Sequence, residues 1–358
     1  MLKRAAALLL VCASAVTWIS CGTTANHFVY AAVPAVNQIA VFRQDPNSGV
    51  LTALAGTPYT VGLGVRSLVL HPSKKFLYAA NANESTVSRF TVATDGTLTE
   101  KTPRTPAGTT PWVAAMDPAG AFLYVVNQGS NDLSVFSISS SDGSLAPIAG
   151  SPFPIGVSPL SMELSASGSV LYVGGQGANG FVEAFSLSAG VPTPILGSPF
   201  STGASLGGPF GMEVDPAGTH LFTVNAASDS SISEFSIDST GALTLLPNFP
   251  LSGSGLSNPL AVLVVPSGKF LYAANQGSNN LSVFSIDSAG ALTALTTSTF
   301  GAGTQPASLA TDQAGKYLLV GNQSGATMQV LTINSDGTLT TVASYPTGGF
   351  PASMLVLQ

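Results

Sequence analysis

Apolar and polar positions alternate in short runs along almost the whole chain, and runs of similar content keep returning. Leu281-Ser282-Val283-Phe284-Ser285-Ile286 is one such run; Leu133-Ser134-Val135-Phe136-Ser137-Ile138 is its near copy. Alternation with a period of two predicts half-buried strands rather than helices. In the first run Leu281, Val283 and Ser285 fall on one face and Ser282, Phe284 and Ile286 on the other. Both faces therefore carry apolar side chains, which suits sheets packed between two neighbours.

The strands belong to one recurring unit. It begins with a Pro-led strand and a turn such as Asp117-Pro118-Ala119-Gly120. A strand like 270–275 follows, then one like 281–286, and the unit ends with Asp-x-x-Gly-x-Leu-Thr. The second-strand aromatic and its equivalents stand at Tyr30, Tyr78, Tyr124, Tyr172, Phe222, Tyr272 and Leu319, and the third-strand equivalents at Phe42, Phe90, Phe136, Phe185, Phe235, Phe284 and Leu331. Repeats of this length with four short strands each are the signature of propeller blades. Asp95-Gly96 and Asp142-Gly143 supply the positive φ that tight hairpins need. The first copy lacks a Pro-led strand, and a Pro-led strand with nothing after it stands at 351–357. Pairing the two closes the ring and removes its open edge. The fold class is thus all-β: a seven-bladed β-propeller of four-stranded blades over 28–358, closed by strand 351–357 joining the N-terminal blade.

The first residues break this pattern. Lys3 and Arg4 precede an apolar stretch from Ala5 to Val16, as in a secretory signal peptide of residues 1–20. Trp18-Ile19-Ser20-Cys21 resembles a bacterial lipobox, which makes Cys21 the expected lipidation site and 21–27 a tether. Cys12 lies within the signal, so the mature chain has no cysteine pair for an internal disulfide. The expectation is an exported protein, lipid-anchored in the cell envelope on the outer-membrane or periplasmic side; Gly22 lacks the aspartate associated with inner-membrane retention. Only 8% of residues are charged, and the net charge of −6 becomes −8 without Lys3 and Arg4. Nucleic acid is excluded as a partner by the lack of clustered Lys and Arg, and a monomer is expected.

Segments 117–127 (Asp-Pro-Ala-Gly-Ala-Phe-Leu-Tyr-Val-Val-Asn) and 266–275 (Pro-Ser-Gly-Lys-Phe-Leu-Tyr-Ala-Ala-Asn) resemble the seven-bladed lactonase propellers, the 6-phosphogluconolactonase-like family, and the related YVTN-type repeats. The resemblance covers 28–357 and implies a lactonase scaffold. Its chemistry is associated with a Gly-Pro-Arg-His segment, a following Val-Asn-Glu and a second Pro-His. Here Gly64-Val65-Arg66-Ser67 keeps only the arginine, Ala80-Asn81-Ala82 has alanine in place of the glutamate, and Gly208-Pro209-Phe210-Gly211 keeps only Gly-Pro. Trp112, Leu160, Leu260 and Ala307 follow the other blade-opening prolines, and none is histidine.

Candidate chemistry narrows accordingly. Glu163 and Glu213, each four residues after a blade-opening Pro in adjacent blades, form a possible acid–base pair with Arg66; solvated wall residues are the plainer alternative. Arg66, Trp112 and Phe210 at blade openings, with the amide-rich turns containing Asn127, Gln128, Asn275, Gln276, Asn322 and Gln323, suggest a site for glycans or other small polar ligands by hydrogen bonding and ring stacking. Turn formation alone also accounts for such amides. His27, His71 and His220 are scattered and read as surface residues, and the Asp-Gly turns offer too few oxygens for calcium, so neither a metal nor a cofactor is called for. The leading expectation is a ligand-binding or scaffold propeller. A lactone hydrolase with a rearranged site around Arg66, Glu163 and Glu213 is the alternative, and a structural envelope protein with protein partners is the third.

Overall fold

The computed structural model describes residues 27–358, apart from 157, 177, 178, 205, 206, 227 and 228 and the side chains of 296–298. The expected signal segment, Cys21 and nearly all of the expected tether lie outside the described residues. Seven antiparallel sheets stand around one axis. Blade 4 is typical: Pro159–Leu164 innermost, then Val170–Gly175, Phe181–Ser188 and an outer strand, each hydrogen-bonded to the next. Blade 1 contains both ends of the ring, because Ser353–Leu357 pairs with His27–Val33 from Phe28↔Leu357 to Ala32↔Ser353. The expected closure is therefore present, over slightly fewer residues than 351–357.

The alternation does what its period predicts. Leu281 and Val283 pack with Leu318 and Val320 of blade 7, while Phe284 and Ile286 pack with Phe222 and Val224 of blade 5. Each blade thus lends one apolar face to either neighbour. The outer position departs from four plain strands: in blades 1, 3, 4 and 5 it is split into two short pieces, such as Leu145–Pro147 and Phe153–Pro154, both paired to the third strand. The Oγ atoms of Thr57, Ser151 and Ser198 accept from the N–H groups of Val41, Val135 and Ala184 at 2.9–3.0 Å, standing in for absent ladder carbonyls.

Adjacent blades are tied by a repeated contact. Tyr30, Tyr78, Tyr172 and Tyr272 are fully buried, and their hydroxyls donate to the carbonyls of Gly96, Gly143, Gly241 and Gly337 in the next blade at 2.9, 2.7, 3.0 and 2.9 Å. At three of these joints the ring at the start of the same strand, Phe28, Phe76 or Phe270, stands over that turn, and Val170 does so at the fourth. At Gly96 (φ +85°), a Cβ would fall 2.4 Å from the Phe28 ring. Only glycine tolerates both that backbone and that contact.

Blade 5 breaks the rule. Phe222 occupies the tyrosine position and His220 the ring position, with its Nε2 where a Gly290 Cβ would stand. Opposite Phe222 in the ladder is Glu234, where blades 3, 6 and 7 have Val135, Val283 and Val330. Glu234 is fully buried and neither carboxyl oxygen has a hydrogen-bond partner. His220 Nε2 is 3.9 Å from it and His220 Nδ1 is 3.9 Å from Asp215. His220 is consequently no ordinary surface histidine. Burial, with the charges of Asp287 and Asp215 adding, raises Glu234 to about 8. A carboxyl raised in this way favours the folded state fully only below its unfolded value near 4.5, and that contribution is lost as pH rises to 8. Glu234→Val should therefore raise stability at pH 8 by about 1–3 kcal/mol in urea unfolding, with a smaller gain near pH 4.5. Tyr272→Phe, which strips one tie, should lower it by about 1–2 kcal/mol.

Candidate functional site

The inner strands carry a second repeated irregularity. In blades 2 to 7 the ladder between the first and second strands skips one residue: Pro159 pairs with Gly175 and Ser161 with Gly174, leaving Leu160 outside the register. The residues skipped are Arg66, Trp112, Leu160, Phe210, Leu260 and Ala307. These are β-bulges, which re-aim a side chain. Here they turn one residue per blade toward the axis, where all six line a single cavity of about 500 Å³ together with Ala352 of blade 1. Serines after the bulge tie the inner strands to one another: Ser161 Oγ and Ser308 Oγ each donate to a carbonyl of the next blade, Pro209 O and Pro351 O, at 2.6 Å.

Arg66 lies over the Trp112 ring with its guanidinium carbon 4.0 Å from the centroid, close enough for a cation–π contact. Among the described residues no carboxylate pairs with it. Burial lowers its pKa from the ordinary arginine value, which leaves a guanidinium charged at neutral pH. Asn258 Nδ2 donates to Gln276 Oε1 at 2.7 Å, and Gln276 Nε2 to Gln323 Oε1 at 2.5 Å. Gln323 borders the central cavity and also a lateral one of about 300 Å³, whose lining includes Arg66 and Asn83. The relay leaves the Gln323 amide as a donor beside Arg66.

The structure brings together Arg66, Trp112, Phe210, Gln276 and Gln323. It does not bring the other amides with them. Asn127, Asn275 and Asn322 are fully buried. Asn127 Nδ2 donates to Asp132 Oδ1 and Ser134 Oγ, Asn275 Nδ2 to Asn280 Oδ1 and Ser282 Oγ, and Asn322 Nδ2 to Thr327 Oγ1. These three fasten the second strand to the third inside a blade and present nothing to a ligand. Gln128, one residue on, is half-buried and borders neither funnel cavity. Phe350 and Asn258, which sequence reasoning passed over, border the cavity and begin the relay.

Glu163 and Glu213 lie further along the inner strands of blades 4 and 5, opposite Tyr172 and Phe222, and line neither funnel cavity. Each keeps some contact with water, yet neither has a hydrogen-bond partner among the described residues. Burial raises Glu163 to about 8. Burial first, and the Glu163 charge second, raise Glu213 well above the usual carboxylate range. Such a pair releases its protons in linked steps.

A sequence model described as "Lactonase, 7-bladed beta-propeller" matches residues 23–191 and 249–356. The chain belongs to this lactonase family. The unmatched stretch, 192–248, includes most of blade 5, where the tyrosine tie is lost. Over 166 residues the chain is 30% identical to the 6-phosphogluconolactonase of Erwinia tasmaniensis, covering 44% of this chain; the match spans about half the length of that curated relative, 49%. Among solved structures, the periplasmic gluconolactonase of Pseudomonas aeruginosa superposes with a TM-score of 0.76 at 18% identity, covering 93% of this chain and 99% of its own. A protein from Lactobacillus plantarum does so at 0.79 and 21%, with 93% and 99% covered. At these identities the likeness is one of fold.

Glu163 and Glu213 make a specific expectation for this family member. Both raised carboxyls favour the folded state at acid pH and lose that contribution as pH climbs from about 4.5 through their raised values, about 8 for Glu163. Thermal unfolding should show a midpoint falling across that range, and Glu163→Gln with Glu213→Gln should flatten the fall.

Proposed function

We propose that this lactonase-family propeller binds a small organic anion in its funnel and does not hydrolyse it. The observation that carries the reading is Arg66: a half-buried guanidinium stacked on Trp112, without a carboxylate partner, beside the donor amide of Gln323. A cation held this way attracts a carboxylate, phosphate or polarised carbonyl oxygen, and the low local dielectric strengthens the contact. Lactone hydrolysis also needs a base to activate water. No Asp, Glu, His, Lys, Cys or Tyr is among the described residues lining the central cavity. A polar-ligand or glycan site draws support from Gln276 and Gln323 alone among the amides first considered.

Lactone hydrolysis remains the second reading, favoured by Glu163, whose raised pKa near neutrality suits proton transfer. The two readings separate in one assay. Purified protein mixed with 6-phosphogluconolactone and neutral sugar lactones should show no rate above the spontaneous one. A rate above background that disappears in Arg66→Ala or Glu163→Gln would establish the hydrolase and sink the binding reading.

We further propose that Cys21 carries the lipid that holds the propeller to an envelope membrane, on the strength of the charged and apolar run ahead of Trp18-Ile19-Ser20-Cys21. Cys21→Ser should then move the protein from the membrane to the soluble fraction on cell fractionation. Retention of that variant in the membrane would exclude the lipid.

A further inference from the structure

Arg66 stands on the boundary between two cavities and lines both. On the lateral side it is accompanied by Asn83 and Gln323, both with amide groups. On the axial side the bulges present Trp112, Leu160, Phe210 and Leu260, with Phe350 closing the wall. Three of the polar side chains on the axial side already hold protein partners. Ser67 Oγ accepts from Ala114 N at 3.1 Å, Ser353 Oγ accepts from Leu68 N at 3.1 Å, and Gln276 is held in the relay between Asn258 and Gln323. Arg66 is the only cation on any of the seven inner strands; the only other charged residues there are Glu163 and Glu213.

Two consequences follow for whatever occupies the funnel. Its negative group has one place to go, the rim at Arg66 and Gln323, because the strands beyond carry carboxyls and no cation. Its remainder lies across the cavity against Leu160, Phe210 and Leu260, where a methylene or ring gains by burial, while a hydroxyl facing those side chains sheds water without a partner. A sugar acid, polar along its whole length, gains the contact at Arg66 and not the one at these apolar side chains.

Resting on the reading of the funnel as an anion-binding site, we infer that its ligand class is the amphipathic organic anion: a carboxylate bearing an aliphatic or aromatic body. The carboxylate sits on Arg66 and Gln323, and the body lies across Leu160, Phe210 and Leu260.

Trp112 and Trp18 are the only tryptophans, so full-length protein with Trp18→Phe reports on the funnel through Trp112 fluorescence alone. It is titrated with hexanoate, octanoate and decanoate below their micelle concentrations, with gluconate and 6-phosphogluconate, and with alkylammonium ions of the same lengths. The expected result is a dissociation constant that falls about two- to fourfold per added methylene for the carboxylates, with gluconate at least about tenfold weaker than octanoate. Alkylammonium ions should not bind. Leu260→Ser and, independently, Ala307→Gln should each shrink the gain per methylene, and Arg66→Ala should abolish carboxylate binding. Arg66-dependent binding of gluconate or phosphogluconate, with no gain along the carboxylate series, would overturn this inference and leave the anion site standing. Equal binding of alkylammonium ions would overturn the placement of charge at the rim. No Arg66-dependent binding of any anion would remove both this inference and the function on which it rests.

Discussion

The ring depends on a hydroxyl reaching across a gap between sheets. A tyrosine in the second strand of one blade donates to the carbonyl of a turn glycine in the next, and an aromatic ring from the same strand lies on that turn where a side chain would clash. Apolar packing alone gives two sheets freedom to slide, since it has little direction. The hydrogen bond fixes the distance and angle of each joint, and a closed ring leaves no joint able to relax without disturbing the others. Blade 7 meets the same demand differently. Leu319 stands in the tyrosine position, and Tyr317, two residues earlier, donates to Asn47 O of blade 1 at 2.5 Å. The joint from blade 5 to blade 6 has Phe222, His220 and Glu234 instead. A buried carboxyl without hydrogen-bond partners makes that joint a local weakness in the ring.

Rigid joints let the inner strands depart from regular pairing without loss of the fold. The bulge in each of six blades turns out one residue, and its identity differs from blade to blade: arginine, tryptophan, leucine, phenylalanine, leucine and alanine. The scaffold residues that place this chain in its family are therefore distinct from those that decide what the funnel binds. A fold-level likeness to gluconolactonase says little about Arg66 and Trp112, whose contact depends on two side chains from neighbouring bulges.

Much of this was legible in the sequence. Seven copies, the split first blade and the two-faced strands all follow from periodicity, and Leu281 and Phe284 face the neighbours that alternation assigns. The residue after each blade-opening proline was also legible as a position, although the bulge that exposes it was not. The amides were read less well, because a polar residue at a strand end can turn toward solvent or toward its own sheet, and composition does not distinguish the two. Spacing did hold the answer: Asn127 and Ser134, like Asn275 and Ser282, are seven apart across a hairpin in which Asn127 stands opposite Asp132 and Asn275 opposite Asn280, which makes each serine the diagonal neighbour that the amide reaches. Glu234 was passed over, and His220 read as a surface residue, for a different reason. Each is ordinary alone, and their significance appears only when three departures, at 220, 222 and 234, meet at one joint.

The first described strand runs the depth of the propeller. His27 pairs with Gln44 at one end of the first described strand, while Pro34 and Ala35, just past its other end, border the lateral cavity beside Arg66. Six steps of about 3.4 Å separate the ends, so the funnel rim stands roughly 20 Å from His27. Anything that secures residues upstream of His27 to a surface therefore holds the propeller by its base, with the mouth turned outward to sample the surrounding medium.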